Sequence, residues 1–113
     1  MSEKVIEQDW GYELRLTNKE DYCGKILVFK EPNAQTKLHM HKNKDKTWFV
    51  NTGKFKVMWI DTKNGKIFEQ ELIEGHTFNA PPMTPCQLTA LVENSSISES
   101  SNSGDDADIF FLS

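Results

Sequence analysis

Hydrophobic and polar residues alternate along this chain in short runs, with a period of two residues. In the segment 11–16, apolar residues occupy every second position and charged residues fill two of the positions between them. Because side chains on a strand alternate between its two faces, this pattern predicts a half-buried strand. Further short strand-like segments follow at 26–30, 47–51, 55–60, 66–72 and 87–92, and no segment has a convincing helical period. The pattern predicts an all-β jelly roll or barrel.

Turn-forming residues separate these segments. Asn33 is the residue in 31–34 that we expect to accept a positive φ, and Gly53 closes a hairpin. Asn64-Gly65 predicts a second tight turn. Prolines 81, 82 and 85 exclude a central strand and predict a rigid loop. The polar stretch 95–108 is predicted to be a strand end that runs into a flexible loop, whereas the apolar segment 109–112 is expected to pair with another strand.

Composition favours one soluble domain over residues 1–113, since a chain of 113 residues suits a single core. The net charge of −4 argues against nucleic acid as the main partner. No apolar run has the length of a signal peptide or a membrane span, so no membrane partner is expected. Without a secretory signal, Cys23 and Cys86 are expected to be reduced thiols in a cytoplasmic protein.

His39 and His41 are the most informative residues for chemistry. They are one residue apart in a polar, extended-looking stretch, so both imidazoles can point at one position inside a barrel. Imidazole is both a frequent metal ligand and a switchable base. Two imidazoles alone define only a weak metal site, and the pair could also line a polar interior without metal.

The spacing around these histidines resembles the first motif of the cupin family. That motif has Gly, five residues, His-x-His, three or four residues, Glu, six residues and Gly. Here Asn33, His39, His41, Lys46 and Gly53 occupy the corresponding positions, so motif 1 covers 33–53. The segment 38–48 also resembles mannose-6-phosphate isomerase-type cupins, which carry Trp two residues after their Glu.

The second cupin motif is matched in spacing at 75–90. It has Gly, five residues, Pro-x-Gly, two residues, His, three residues and Asn, and here Gly75, Pro81, Met83, Cys86 and Ala90 take those places. The resemblance covers about residues 33 to 90. It implies a cupin-type double-stranded β-helix, or jelly-roll, barrel and, as is usual for single-domain members, a homodimer.

The resemblance also implies a metal centre with exchanged ligands. In cupins the two histidines, the Glu and the last His usually bind the metal, so His39, His41 and Cys86 are the candidate metal ligands here. Iron, zinc, manganese and nickel are the candidate divalent ions, because a thiolate and imidazoles suit such metals. Alternatively, Cys86 is a small buried hydrophobe that fills the place of the third His.

Lys46 stands where the family has its Glu, and an ammonium cannot be a ligand. If Lys46 points inward, it should meet an anion such as the phosphate or carboxylate of a ligand. Lys46 and Trp48 are therefore the candidate substrate-binding residues. In the alternative register Asp45 would face the interior, but that shift would invert Trp48 unless a bulge absorbed it.

The function expected from these features is the binding of a small molecule, anionic if Lys46 points inward, as in sugar-phosphate isomerase-type cupins, with an altered metal site. A non-catalytic, metal-free binding or regulatory cupin is the first alternative. A metal-dependent dioxygenase is the second, although the missing carboxylate at position 46 counts against it. The sequence leaves open whether the protein is an enzyme, because a fold does not fix a function.

Overall fold

The computed structural model describes residues 4–19, 22–102 and 109–112. These residues form eleven strands and no helix. The strands are β1 (Lys4–Gln8), β2 (Gly11–Asn18), β3 (Cys23–Phe29), β4 (His39–His41), β5 (Lys46–Thr52), β6 (Lys54–Asp61), β7 (Lys66–Ile73), β8 (Thr77–Ala80), β9 (Cys86–Ala90), β10 (Ser95–Ser101) and β11 (Ile109–Phe111). Within the described ranges there is no helix with the length and apolar character of a membrane span.

The strands form two antiparallel sheets that face each other. One sheet has the order β1-β2-β3-β10-β5-β8, and the other has the order β11-β4-β9-β6-β7. The core lies between them and is built from inward-facing aromatic and aliphatic residues, with Phe29, Val50, Phe55, Leu88 and Ile97 completely buried. The architecture confirms the predicted all-β jelly roll.

Strand β10 corrects the prediction for 95–108. Residues 95–101 form a full strand that pairs with β3 on one side and β5 on the other. Ser95, Ile97, Glu99 and Ser101 alternate as its buried residues. Three of these four residues are polar, and for this reason the composition of the segment suggested a loop. The alternating burial of these residues is nevertheless that of a strand. The remainder of the predicted loop, 103–108, lies outside the described residues.

Several local predictions can be compared directly with the backbone. Asn33 has a φ of 70°, as expected for the turn after β3. Strand β11 pairs with β4, with Phe111 opposite His39, which confirms that the apolar segment 109–112 pairs with another strand. The sequence patterns did not reveal β1 and β8. Strand β8 contains only four residues and ends next to Pro81, so it lacked an alternation long enough to recognise.

Gly53 provides a test of the β5–β6 hairpin. Its φ is 83°, and a Cβ at this position would collide with Oγ of Ser95. We expect Gly53→Ala to lower the free energy of unfolding by about 2–4 kcal/mol, from backbone strain and overpacking together. Gly65 is the matched control, because its φ is 73° and no atom lies within 4 Å of its added Cβ. Gly65→Ala should cost only about 1 kcal/mol. Equal losses in urea unfolding would contradict the predicted collision.

Candidate functional site

A cavity of about 580 Å³ opens between the two sheets. Residues from both sheets line it, among them Trp10, His39, His41, Lys46, Trp48 and Glu99. Strand β5 contributes Lys46 and Trp48 because every second residue of β5 points inward, while Asp45 is exposed. The opposite sheet contributes both histidines through the short strand β4. The cavity is therefore formed by alternate positions of strands that face each other.

His39 and His41 lie on the cavity side of β4. Their side chains point the same way because Met40 separates them along the strand. The residues are 8% and 7% exposed, and their ring centroids are 5.6 Å apart in an edge-to-face arrangement. The ring of Phe111 on the neighbouring strand β11 lies 6.4 Å from that of His39. The two imidazoles are thus brought together as the spacing predicted.

Lys46 makes the most informative contact of the site. Its Nζ lies 3.0 Å from Nε2 of His39, and Nδ1 of His39 lies 2.7 Å from the carbonyl oxygen of Lys37. A protonated lysine can only donate, so Nε2 accepts and Nδ1–H donates to the carbonyl. Burial, followed by the nearby Lys46 charge, lowers the pKa of His39 to about 4. His39 is therefore a neutral imidazole with a fixed tautomer at neutral pH.

Trp48 and Glu99 form the floor of the site beside Lys46. The indole Nε1–H of Trp48 donates to Glu99 over 2.8 Å, and Nζ of Lys46 lies 4.9 Å from the Trp48 ring centroid. Lys25 bridges Glu99 and Glu13, with N–O distances of 3.4 and 3.0 Å. Burial alone would raise the pKa of Glu99, but Lys46, Lys25 and the indole outweigh it and lower that pKa to about 2. Glu99 is therefore a buried carboxylate ion.

Cys86 is the one candidate ligand that does not line the cavity. It pairs with His39 across β9 and β4, but it is 1% exposed and belongs to the hydrophobic core. Burial raises the pKa of its thiol, which keeps the sulfur protonated near neutral pH. A protonated thiol is a poor metal ligand. The surroundings of Cys86 thus match the alternative in which it fills core space.

The residues present do not fit the metal centre that the cupin motifs imply. In 4–19, 22–102 and 109–112, no three His, Cys, Asp or Glu side chains are grouped so that they could hold a metal ion. Of the family's four ligand positions, one holds a cation, Lys46, and another holds the core thiol Cys86. The Lys46 ammonium also takes the Nε2 lone pair of His39. Two imidazoles remain at the family's ligand positions, and Nε2 of His39 already accepts a hydrogen bond from Lys46.

Six charged residues of the described cavity wall were not predicted from the sequence: Glu7, Asp9, Glu13, Lys25, Lys37 and Glu99. In a half-buried strand the apolar face is expected to be the buried one, yet in β2 Glu13 is 5% exposed and Leu16 is 62% exposed. The charged face of β2 turns toward the cavity because Lys25 and Arg15 pair with Glu13 there. The sequence signal that could have indicated these residues is the alternation of charged residues within strand-like segments. This alternation does not distinguish a strand face that lines a cavity from one that faces solvent.

The neutral state of His39 predicts a dependence of stability on pH. The folded protein holds its pKa near 4, below the ordinary value of 6.5, so the unfolded chain binds protons more readily between these values. The stability contributed by the neutral imidazole is present above pH 6.5 and is lost as the pH falls toward 4, in total about 3 kcal/mol. Urea unfolding at a series of pH values should show a smaller loss in this window for His39→Gln. Identical pH profiles would contradict this.

This chain is similar to known proteins both in sequence, to one family, and in fold, to several solved structures. A family model described as cupin matches residues 14–109. Oxalate decarboxylase from Bacillus subtilis superposes with a TM-score of 0.86 at 22% identity, over 98% of this chain and 30% of that chain. The capsular polysaccharide assembling protein CapF from Staphylococcus aureus superposes with a TM-score of 0.85 at 17% identity, over 98% and 34%. No curated protein sequence matches. The chain spans about a third of these structures, and the likeness is one of fold.

Proposed function

Since this chain belongs to the cupin family, we propose that it uses its barrel cavity to bind a small anionic organic molecule without a resident metal ion. In this proposal the protein is a binding or regulatory module. Lys46 contacts the anionic group of the ligand, and Trp48 with Glu99 holds the Lys46 side chain in place. The neutral His39 accepts a hydrogen bond from one N–H of the ammonium, and the other N–H groups are left for the ligand.

The observation that carries this proposal is the contact of 3.0 Å between Nζ of Lys46 and Nε2 of His39. A metal at this site would need that nitrogen, because the Nδ1 of His39 is already committed to the carbonyl of Lys37. An ammonium next to a divalent cation would also add like-charge repulsion. Metal binding would therefore require Lys46 to leave its buried position.

An anionic ligand is supported by the surroundings of Lys46. The side chain is buried, at 4% exposure, and its partners in the described residues are an imidazole and an indole ring. A buried ammonium is stable only where it is paired or hydrogen-bonded. The ion pairs of the described chain do not include Lys46, although Glu99 interacts with it electrostatically at longer range. A carboxylate or phosphate on a ligand would supply a direct partner.

A second candidate is a metal-containing enzyme of the sugar-phosphate isomerase type. It is favoured by one observation, the presence of both His39 and His41 on the cavity wall. In that case Lys46 would swing toward the substrate and release Nε2 to a divalent ion. A dioxygenase would require the same movement. A homodimer stays a prediction in either case, and sedimentation equilibrium of the purified chain would check it.

The proposed function can be tested with a library of small organic acids, sugars and sugar phosphates. We expect at least one anionic compound to raise the melting temperature equally with and without chelator. Ile109→Trp, which adds bulk at the cavity wall, should abolish this shift, whereas Ile67→Trp, at an exposed position of β7, should not. Binding that appears only after metal is added, or that survives Ile109→Trp unchanged, would overturn the proposal.

A further inference from the structure

From the charges and polar groups of the cavity, we infer that its ligand is a polyhydroxylated carboxylic acid, of the sugar-acid class, and that a sugar phosphate is disfavoured. This inference rests on the proposed function, because it concerns the same cavity. It goes further by assigning the charge of the ligand and the groups that the ligand presents to the protein. Each assignment follows from a different part of the cavity wall.

Carboxylates and lysines both line the cavity, and their balance bears on the charge of the ligand. Among the described lining residues, four carry carboxylates (Glu7, Asp9, Glu13 and Glu99), whereas three are lysines (Lys25, Lys37 and Lys46). The imidazole of His39 is not counted as a cation, because its Nε2 accepts a hydrogen bond from the Lys46 ammonium while its Nδ1–H donates to the carbonyl of Lys37. Carboxylates therefore outnumber lysines by one in the described wall, with Glu7, Asp9 and Lys37 at exposed positions. Such a wall repels a phosphate monoester of about −1.5 to −2 charges more strongly than a carboxylate of one charge.

The three lysines of the described cavity wall differ in whether they can contact the charged group of the ligand. Nζ of Lys25 already lies 3.0 Å from Glu13 and 3.4 Å from Glu99. Lys37 is exposed, with Nζ 5.7 Å from the ring centroid of Phe111. Lys46 is buried and contacts His39 and Trp48 instead of a carboxylate. One buried ammonium matches one carboxylate in charge and in hydrogen-bonding capacity, whereas phosphate recognition generally uses several donors.

The cavity wall also presents polar groups that can bind the uncharged part of the ligand. Glu13 and Glu99 present acceptor oxygens on one side of the cavity, and Gln35 and Thr36 add amide and hydroxyl groups. Each carboxylate oxygen can accept more than one hydrogen bond, so the existing contacts to Lys25 and Trp48 leave room for ligand donors. Hydroxyl groups are donors that bring no charge into this wall. Several hydroxyls therefore satisfy the carboxylates without disturbing the charge balance.

Part of the cavity wall is apolar. Trp10, Leu27, Ile109 and Phe111 also line the cavity. The Trp10 ring is held in place by stacking on Phe29, with the ring centroids 4.4 Å apart. Small-molecule sites commonly combine apolar walls with a few polar groups that fix the orientation of the ligand. The carbon skeleton of a sugar acid has a less polar face that can pack against these rings while its hydroxyls reach Glu13 and Glu99.

Isothermal titration with D-glucuronate, D-glucose and D-glucose 6-phosphate tests the inference, since the three probes share a sugar ring and differ in charge. We expect D-glucuronate to bind more tightly than either of the others by at least about tenfold. Lys46→Gln should remove this advantage over glucose, because the amide can still contact His39 but carries no charge. Lys42→Gln is the matched control, since Lys42 is an exposed lysine four residues before Lys46. It should leave the tighter binding of glucuronate relative to glucose intact.

The possible results separate this inference from the proposed function. If glucose 6-phosphate binds best, or glucuronate gains nothing from Lys46, the ligand class assigned here is wrong while metal-free binding stands. If none of the three probes binds but an anionic compound of another class does, the sugar-acid assignment is likewise overturned. If no probe and no anionic compound of the library binds without metal, both proposals fail. Folding of Lys46→Gln can be checked by its unfolding curve before titration.

Discussion

Replacing Lys46 with glutamate is expected to raise the affinity of the cavity for divalent metal by about 100-fold. The change frees Nε2 of His39 from its contact with the ammonium and adds a carboxylate at the position where cupins carry one. It also removes a positive charge beside the two imidazoles. The expected result is metal-dependent stabilisation of Lys46→Glu, seen as a rise in melting temperature with added zinc, manganese or nickel that the unmodified protein lacks.

Two control variants separate the causes of this effect. Lys46→Gln removes the ammonium without adding a ligand, so it should give only part of the gain. Lys42→Glu makes the same change of charge at an exposed residue and should give none. If the unmodified protein binds metal as tightly as Lys46→Glu, then Lys46 does not block His39, and the native cavity accommodates a resident metal.

Removing Glu99 is expected to cause the largest loss of stability among substitutions in the cavity wall. Glu99→Ala leaves the indole N–H of Trp48 without its acceptor and takes one carboxylate from Lys25. Breaking a buried ion pair by removing one partner costs about 3–5 kcal/mol, because the remaining charge stays in a desolvated position. Urea unfolding at neutral pH measures this loss. Glu99→Gln should lose less, since its amide oxygen can still accept from the indole.

The chain offers a close control for this prediction. Lys56 and Glu69 form an ion pair with the same N–O distance, 3.4 Å, as Lys25 and Glu99. Their side chains are 42% and 58% exposed, compared with 12% and 6% for the buried pair. Exposed pairs contribute about 1 kcal/mol at most, so Glu69→Ala should have a small effect. Similar losses for Glu69→Ala and Glu99→Ala would show that burial does not determine the energetics of the Glu99 network.

The sequence was informative where residue types followed the period of a strand. The segments 47–51 and 55–60 on either side of Gly53 predicted the hairpin, and the series of short strands without a helical period predicted the jelly-roll class. The pairing of β11 was also expected, because an apolar terminal segment seldom remains in solvent. Strand β10 was predicted only as a strand end, because its buried positions are mostly polar, and β8 was not predicted because it is short. Polar residues can occupy buried strand positions when their partners come from other strands, which one sequence does not reveal.

The site was predictable to a smaller extent. Spacing indicated that His39, His41, Lys46 and Trp48 lie near one another, and all four line the cavity. The contact between Lys46 and His39 could not be predicted, because it joins two facing sheets and depends on side-chain geometry. The Glu99 network could not be predicted either, since its members Glu13, Lys25, Trp48 and Glu99 lie on four different strands. Whether these residues bind metal or an organic ligand is decided by such contacts.

The metal content of the protein is the measurement that tests the central claim most directly. Untagged protein would be purified under reducing conditions without chelator and analysed before and after incubation with iron(II), zinc, manganese and nickel. Because Lys46 is bound to Nε2 of His39, we expect metal far below one equivalent per chain in both states. The opposite result is about one equivalent of metal per chain that is retained through dialysis and lost in His39→Ala. That occupancy is expected of a resident metal, and it would contradict a cavity that works without one.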